Sequence, residues 1–93
     1  MKIQKPAMAG TLESSDCMVT VTPEGGESVR YEIESIVMER YGDAIERAAR
    51  ETVESLGVTS GRITIQDRGA LDCVIAARVE TAIRRAAVKE VVV

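Results

Sequence analysis

The sequence predicts an α+β fold, a small two-layer sandwich of order β-β-β-α-β-α. Its sheet is expected to be largely antiparallel, with two helices on one face. Three observations predict this. Period-2 alternation marks strands in the first third of the chain and again around Ile65. The period then lengthens to that of amphipathic helices in two later stretches. Finally, the outward positions of the strands (Arg30, Glu32, Glu34, Thr64 and Gln66) are polar, so only one sheet face asks to be covered.

The chain has 93 residues, which makes residues 1–93 one domain. A domain of this size buries somewhat more than ~60% of the surface its unfolded chain exposes. Phe and Trp are absent and Tyr occurs twice, so the core must be built from Val, Ile, Leu, Met and Ala.

The first strand is expected around Met8–Glu13 and the second over Cys17–Val21, where Cys17, Val19 and Val21 share a face. Ser14, Ser15 and Asp16 lie between them. These residue types favour turns because they bond their own backbone, so SSD reads as a hairpin tip. TPEGGES, residues 22–28, is a loop. VRYEIESIV then alternates, with Val29, Tyr31, Ile33 and Val37 on one face. In GDAIERAARETVESLG, Ile45, Ala48, Ala49, Thr52, Val53 and Leu56 recur at helical spacing. Asp43 and Glu46 resemble a capping box, MERY before them could add a turn, and Gly57 fits the left-handed stop. RITIQD, residues 62–67, is a short strand with Ile63 and Ile65 inward. The second helix carries a stripe of Leu71, Val74, Ile75, Arg78, Val79, Ala82, Ile83 and Ala86. Asp72 in its first turn and Arg84 and Arg85 near its end suit the helix dipole. The tail, residues 88–93, has no partner and is expected to be disordered.

Composition narrows the function. A net charge of −3 and the lack of an aromatic platform argue against nucleic-acid binding. No apolar run approaches the ~20 residues of a membrane span, and the apolar part of MKIQKPAMAG is too short for a signal peptide. A cytoplasmic location is the expectation, with no membrane partner. Two isolated cysteines, Cys17 and Cys73, then read as reduced, packed thiols, Cys17 facing the core with Val19 and Val21. Without His or a CxxC pair a zinc site is not expected.

A nucleophilic serine needs a base within reach. The chain has no His, and Lys2, Lys5 and Lys89 all lie near a terminus, so no catalytic residue is expected. On residue types alone, SSD is either a plain turn or an exposed handle that another enzyme modifies, and composition does not choose between them.

AGTLESSD, EIESIVMERYGDAI and IQDRGALDCVIAARVETA together decide more. With these motifs the chain resembles the acyl carrier proteins, or gamma subunits, of citrate lyase, from about residue 1 to residue 87. The resemblance implies a non-catalytic acyl-carrier domain. It implies that the first serine of LESSD, Ser14, is the attachment site of the cofactor 2'-(5''-phosphoribosyl)-3'-dephospho-CoA, bound through a phosphodiester. The thiol of that arm is implied to hold acetyl and citryl groups while citrate is cleaved to acetate and oxaloacetate. The implied partners are the citrate lyase alpha and beta subunits, which carry out the chemistry, and a prosthetic-group transferase. Alternatives are the carrier subunit of a malonate-decarboxylase-like complex, which uses the same arm, and an unmodified small protein-interaction module. Glu13 and Asp16 flank Ser14 with no basic cluster beside them in sequence. Their charge is expected to repel the phosphates of the arm and leave it mobile, unless folding brings Arg30, Arg62 or Arg68 near.

Overall fold

The structure, a computed structural model describing residues 1–88, has the expected order of elements. They are β1 (Ala7–Gly10), β2 (Cys17–Thr22), β3 (Val29–Ser35), α1 (Met38–Ser55), β4 (Gly61–Asp67) and α2 (Asp72–Ala87). Apart from Val88, the predicted tail lies outside the described residues.

The strands stand in the order β1-β2-β4-β3. β1 with β2 and β2 with β4 are antiparallel, while β3 and β4 are parallel. The sheet is therefore mixed, and the antiparallel expectation holds for two of its three pairings. The parallel pair follows from α1, which carries the chain back so that β4 runs in the direction of β3.

The register aligns the inward side chains into rows. Ala7, Val21, Ile63 and Tyr31 form one row, and Ala9, Val19, Ile65 and Ile33 the next. Val19, Val21, Ile63 and Ile65 lose all contact with solvent beneath Ile75, Val79 and Ile83 of α2 and Ala49 and Val53 of α1. Tyr31 and Ile33 stay half-buried because β3 is an edge strand. The Arg50 guanidinium lies 4.6 Å from the Tyr31 ring centroid and covers it from α1. A third row continues past the apolar ones: Cys17, Asp67 and Ser35. Its polar members lie at the end of the sheet from which the β1–β2 connection leaves.

Several boundaries differ from expectation, each for a local reason. β1 ends at Gly10 rather than Glu13, because Gly10 turns to φ 101° and leaves the extended path. α1 starts at Met38, so MERY does add its turn before Gly42, and the predicted Asp43–Glu46 capping box does not form. The hydroxyl of Ser35 accepts the Val37 N–H at 3.0 Å and turns the chain straight out of β3, so the helix begins four residues before Gly42 could start it. Asp43 is left exposed in the second turn. Gly57 behaves as expected. At φ 68° it donates to Glu54 O at 3.0 Å while Val58 N–H donates to Val53 O at 3.2 Å, the two bonds of a Schellman stop. Leu71, assigned to the apolar stripe of α2, precedes the helix and is 71% exposed. The buried stripe is Ile75, Val79, Ala82, Ile83 and Ala86.

Ile65 sits in the middle of the central rows, so Ile65→Ala should lower the unfolding free energy by about 3 kcal/mol. Urea denaturation checks this; a loss under about 1 kcal/mol would mean that the site collapses around the smaller side chain.

Candidate functional site: the Ser14 turn

The hairpin that presents Ser14 depends first on Gly10. A Cβ at this position would lie 1.9 Å from the carbonyl oxygen of Cys17, so only glycine lets the two chains approach this closely. Beyond it, Thr11 N–H donates to Cys17 O at 3.1 Å. The chain then reverses through Glu13-Ser14-Ser15-Asp16, closed by Asp16 N–H to Glu13 O at 3.2 Å. Ser15 takes the left-handed conformation, φ 65°, that the turn requires.

Two sets of bonds hold this turn in place. In the first, the backbone pairs with the β4–α2 connection: Ser15 N–H donates to Arg68 O at 2.8 Å, and Arg68 N–H donates to Asp16 O at 2.9 Å. In the second, the Asp16 carboxylate gathers four donors. Arg78 of α2 supplies Nε at 3.0 Å and Nη2 at 2.8 Å, Thr11 Oγ1 donates at 2.7 Å and Cys17 N–H at 2.7 Å. The Arg78 guanidinium, the Thr11 hydroxyl and the Cys17 amide lower the Asp16 carboxyl to about 2, in that order of effect. Both serine side chains are exposed, and neither hydroxyl makes a hydrogen bond among the described residues.

The expected pair of flanking negative charges is thus corrected. Asp16 is paired with Arg78, and Glu13 alone stands exposed without an ion pair among the described residues. The arginine that folding brings to the turn was not among those foreseen. Arg30 and Arg62 lie towards the opposite end of their strands and meet Glu24 at 2.9 and 3.3 Å. Arg68 contacts the turn only through its backbone, its side chain pairing with Glu34 at 3.6 Å.

Beside the turn, Asp67 is the one fully buried charged side chain among the described residues. It accepts from Ser35 Oγ at 2.7 Å, Gly69 N–H at 3.1 Å and Ala70 N–H at 2.9 Å. The reading of RITIQD overlooked it. The signal was the spacing itself, since a residue two beyond Ile65 must share its inward face.

Cys17 is buried as expected, and burial, aided by the charges of Asp16 and Asp67, pushes its thiol up to about 11. Cys73 is exposed, which corrects its reading as a packed thiol; both are free. Cys73 borders a groove of about 740 Å³ between the N-terminal ends of the helices, lined by Val37, Tyr41, Ile45, Ala70 and Leu71 among others.

Chemically, the site holds out a hydroxyl that no base among the described residues hydrogen-bonds: the chain has no His, Asp16 already accepts four donors, and Glu13 makes no bond to Ser14.

Comparison with known proteins agrees with a non-catalytic use. A family model described as ACP: Malonate decarboxylase delta subunit (MdcD) matches residues 4–86. The citrate lyase acyl carrier protein of Escherichia fergusonii is 52% identical over 87 residues, covering 94% of this chain and 90% of that one. That of Clostridium perfringens is 49% identical over 86 residues, 92% of this chain and 85% of its relative. The chain belongs to the citrate lyase acyl carrier protein family. As a member of that family it is a carrier subunit rather than a catalyst. Among solved structures, a chain of a Pseudomonas malonate decarboxylase hetero-tetramer in complex with malonate shares the fold of this family member. It matches with a TM-score of 0.74 at 17% identity, over 90% of this chain and 86% of that one.

Two measurements check the site's electrostatics. A carboxyl whose folded value is lowered stabilises the fold above its usual value of 3.8, and that contribution is lost as pH falls towards about 2. Asp16→Asn should therefore be less stable than the parent chain at pH 6, with the gap narrowing between pH 4 and pH 2; a constant gap would show that the Arg78 pair is not what stabilises the charged form. Under a thiol reagent at pH 8, Cys73 should label at once and Cys17 only on unfolding. Rapid labelling of both thiols would contradict the burial of Cys17.

Proposed function

We propose that the chain is the acyl carrier subunit of citrate lyase and that Ser14 is its point of covalent attachment. The observation that carries this reading is the Ser14 hydroxyl, exposed and unbonded on a turn that is otherwise hydrogen-bonded on both sides. The neighbouring Ser15 has its backbone N–H bound to Arg68 and its φ in the left-handed region, which supports Ser14 as the site.

The residues present fit the implied group, 2'-(5''-phosphoribosyl)-3'-dephospho-CoA, because a phosphodiester needs only an accessible hydroxyl with room around it. Once bound, the group would supply a thiol on which acetyl and citryl units are carried during citrate cleavage. The chain's own residues do the rest by holding: Arg78, Thr11 and Asp16 fix the turn, and Gly10 lets the hairpin close. They place no proton-transfer group at the serine, so the chemistry falls to the proposed alpha and beta subunits, and attachment to a transferase, all in the cytoplasm.

The description of the matching family model favours a second reading, a carrier subunit of a malonate-decarboxylase-like complex. The identity of about half to citrate lyase carriers favours the first.

The test is intact mass after expression with the citrate lyase assembly enzymes. The parent chain and Ser15→Gly should gain the mass of the arm, and Ser14→Ala should not, while its stability stays within about 0.5 kcal/mol. An adduct mapped to Ser15 would overturn the assignment, and no adduct on the parent chain would leave an unmodified interaction module.

A further inference from the structure

We propose that Arg78 is a positioning residue for the modification of Ser14. Through Asp16 it holds the turn so that the Ser14 oxygen stands clear of the surface and is presented in one geometry. The proposal rests on the reading of Ser14 as the attachment site.

A four-residue tip between short strands is normally among the first parts of a fold to fray. Here the tip is tied to an element distant in sequence. Arg78 lies 62 residues beyond Asp16, yet both of its bonding nitrogens point at the two oxygens of one carboxylate. A bidentate pair of this kind fixes orientation as well as distance. The core has no use for an arginine at that position, because Ile75, Val79 and Ala82 already bury the inward side of α2. Arg78 is half-buried, and its stem passes over Gly10, where an added Cβ would meet its Cδ at 3.3 Å. The missing side chain at Gly10 thus opens the path along which the guanidinium reaches the turn.

In the attachment step the Ser14 oxygen forms a bond to phosphorus in an activated phosphoanhydride form of the arm. The phosphorus–oxygen anhydride bond breaks, and the departing phosphate takes the electron pair. The hydroxyl proton goes to a base on the transferase, because none stands at Ser14. Reaction then depends on how the acceptor oxygen is held, and misplacement by about 1 Å can cost roughly a hundredfold.

The experiment compares the parent chain with Arg78→Met and Arg78→Lys, full length. Backbone amide relaxation is recorded on the unmodified proteins. The rate of arm attachment is followed by intact mass, using the citrate lyase transferase and its phosphoanhydride donor. In Arg78→Met the order parameters of Ser14 and Ser15 should fall from about 0.85 to below about 0.6 while those of β2 and β4 stay high. Its kcat/KM for attachment should drop roughly tenfold to hundredfold. Arg78→Lys, which keeps the charge but not the fork, should recover only part of both. Unchanged order at the two serines, or an unchanged attachment rate on a loosened turn, overturns the proposal. If Arg78→Met does not fold, Thr11→Val removes another Asp16 donor without touching α2 and must show the same paired losses. A parent chain that takes no arm overturns the reading of Ser14 itself, and the positioning role falls with it.

Discussion

Asp67 is the constraint on which the functional end of the molecule depends. A carboxylate placed on the inward face of the central strand pair is costly unless its oxygens are bonded. Among the described residues no arginine or lysine side chain pairs with it; a hydroxyl and two backbone amides satisfy its oxygens. Those three donors fix two different pieces of chain. Ser35 ends β3 and also bonds the first residue before α1, so one hydroxyl links the carboxylate to the start of that helix. Gly69 and Ala70 form the connection to α2. The same connection bonds the Ser14 turn through Arg68. The end of the sheet, the starts of both helices and the hairpin tip are therefore coupled through one buried group, and loss of any of its donors would leave charge unsatisfied in the interior.

The donors of the two carboxylates at this end differ in one respect, the presence of a guanidinium. Asp67 is buried and met by neutral donors, which rigidify by number and direction. Asp16 is only partly buried and is met by a guanidinium as well as by a hydroxyl and an amide, so charge is added to direction. Each suits its setting. A buried ion pair would require two desolvated charges instead of one, whereas a partly exposed arginine keeps part of its contact with water. Between them lies Cys17, whose amide bonds Asp16 and whose thiol stays protonated under the influence of burial and both acids.

The layers and elements were legible in the sequence because they rest on periodicity, which is local. Val19, Val21, Ile63 and Ile65 alternate, the α1 and α2 stripes recur at helical spacing, and each pattern predicts its own burial. The proposed attachment serine, Ser14, stands out only through the resemblance of AGTLESSD and its companion motifs; as residue types, Ser14 and Ser15 are a turn. What was not legible is tertiary. That β3 would pair with β4 in parallel depends on where α1 lies, not on any single strand. The extra turn of MERY is part of α1, but the capping box at Asp43 is only a local preference, and the bond from Val37 to Ser35 starts the helix before it. Arg78 falls by spacing on the α2 stripe, and nothing near it in sequence points to Asp16.

These features suit a carrier whose moving part is not protein. On the proposed reading, an arm with many rotatable bonds supplies the range needed to visit separate active sites, and its effective concentration at each is set by where its root is held. A root on a fraying loop would add its own freedom to that of the arm and dilute the thiol over a larger volume. A root whose hydroxyl were hydrogen-bonded would have to break that bond before modification. The turn at Ser14 avoids both. Its backbone is bonded on either side of Ser14, at Glu13, Ser15 and Asp16, and its acid meets four donors, while the oxygen proposed to react is left without a partner among the described residues. Neutralising Asp16 also removes one of the two charges next to the root, so repulsion of the arm's phosphates falls mainly to Glu13, in water, where it is weak. On that reading the freedom of the arm owes less to charge than to the lack, among the described residues, of any group bonded to the Ser14 oxygen. Rigidity is confined to the protein side of the serine oxygen and mobility to the other.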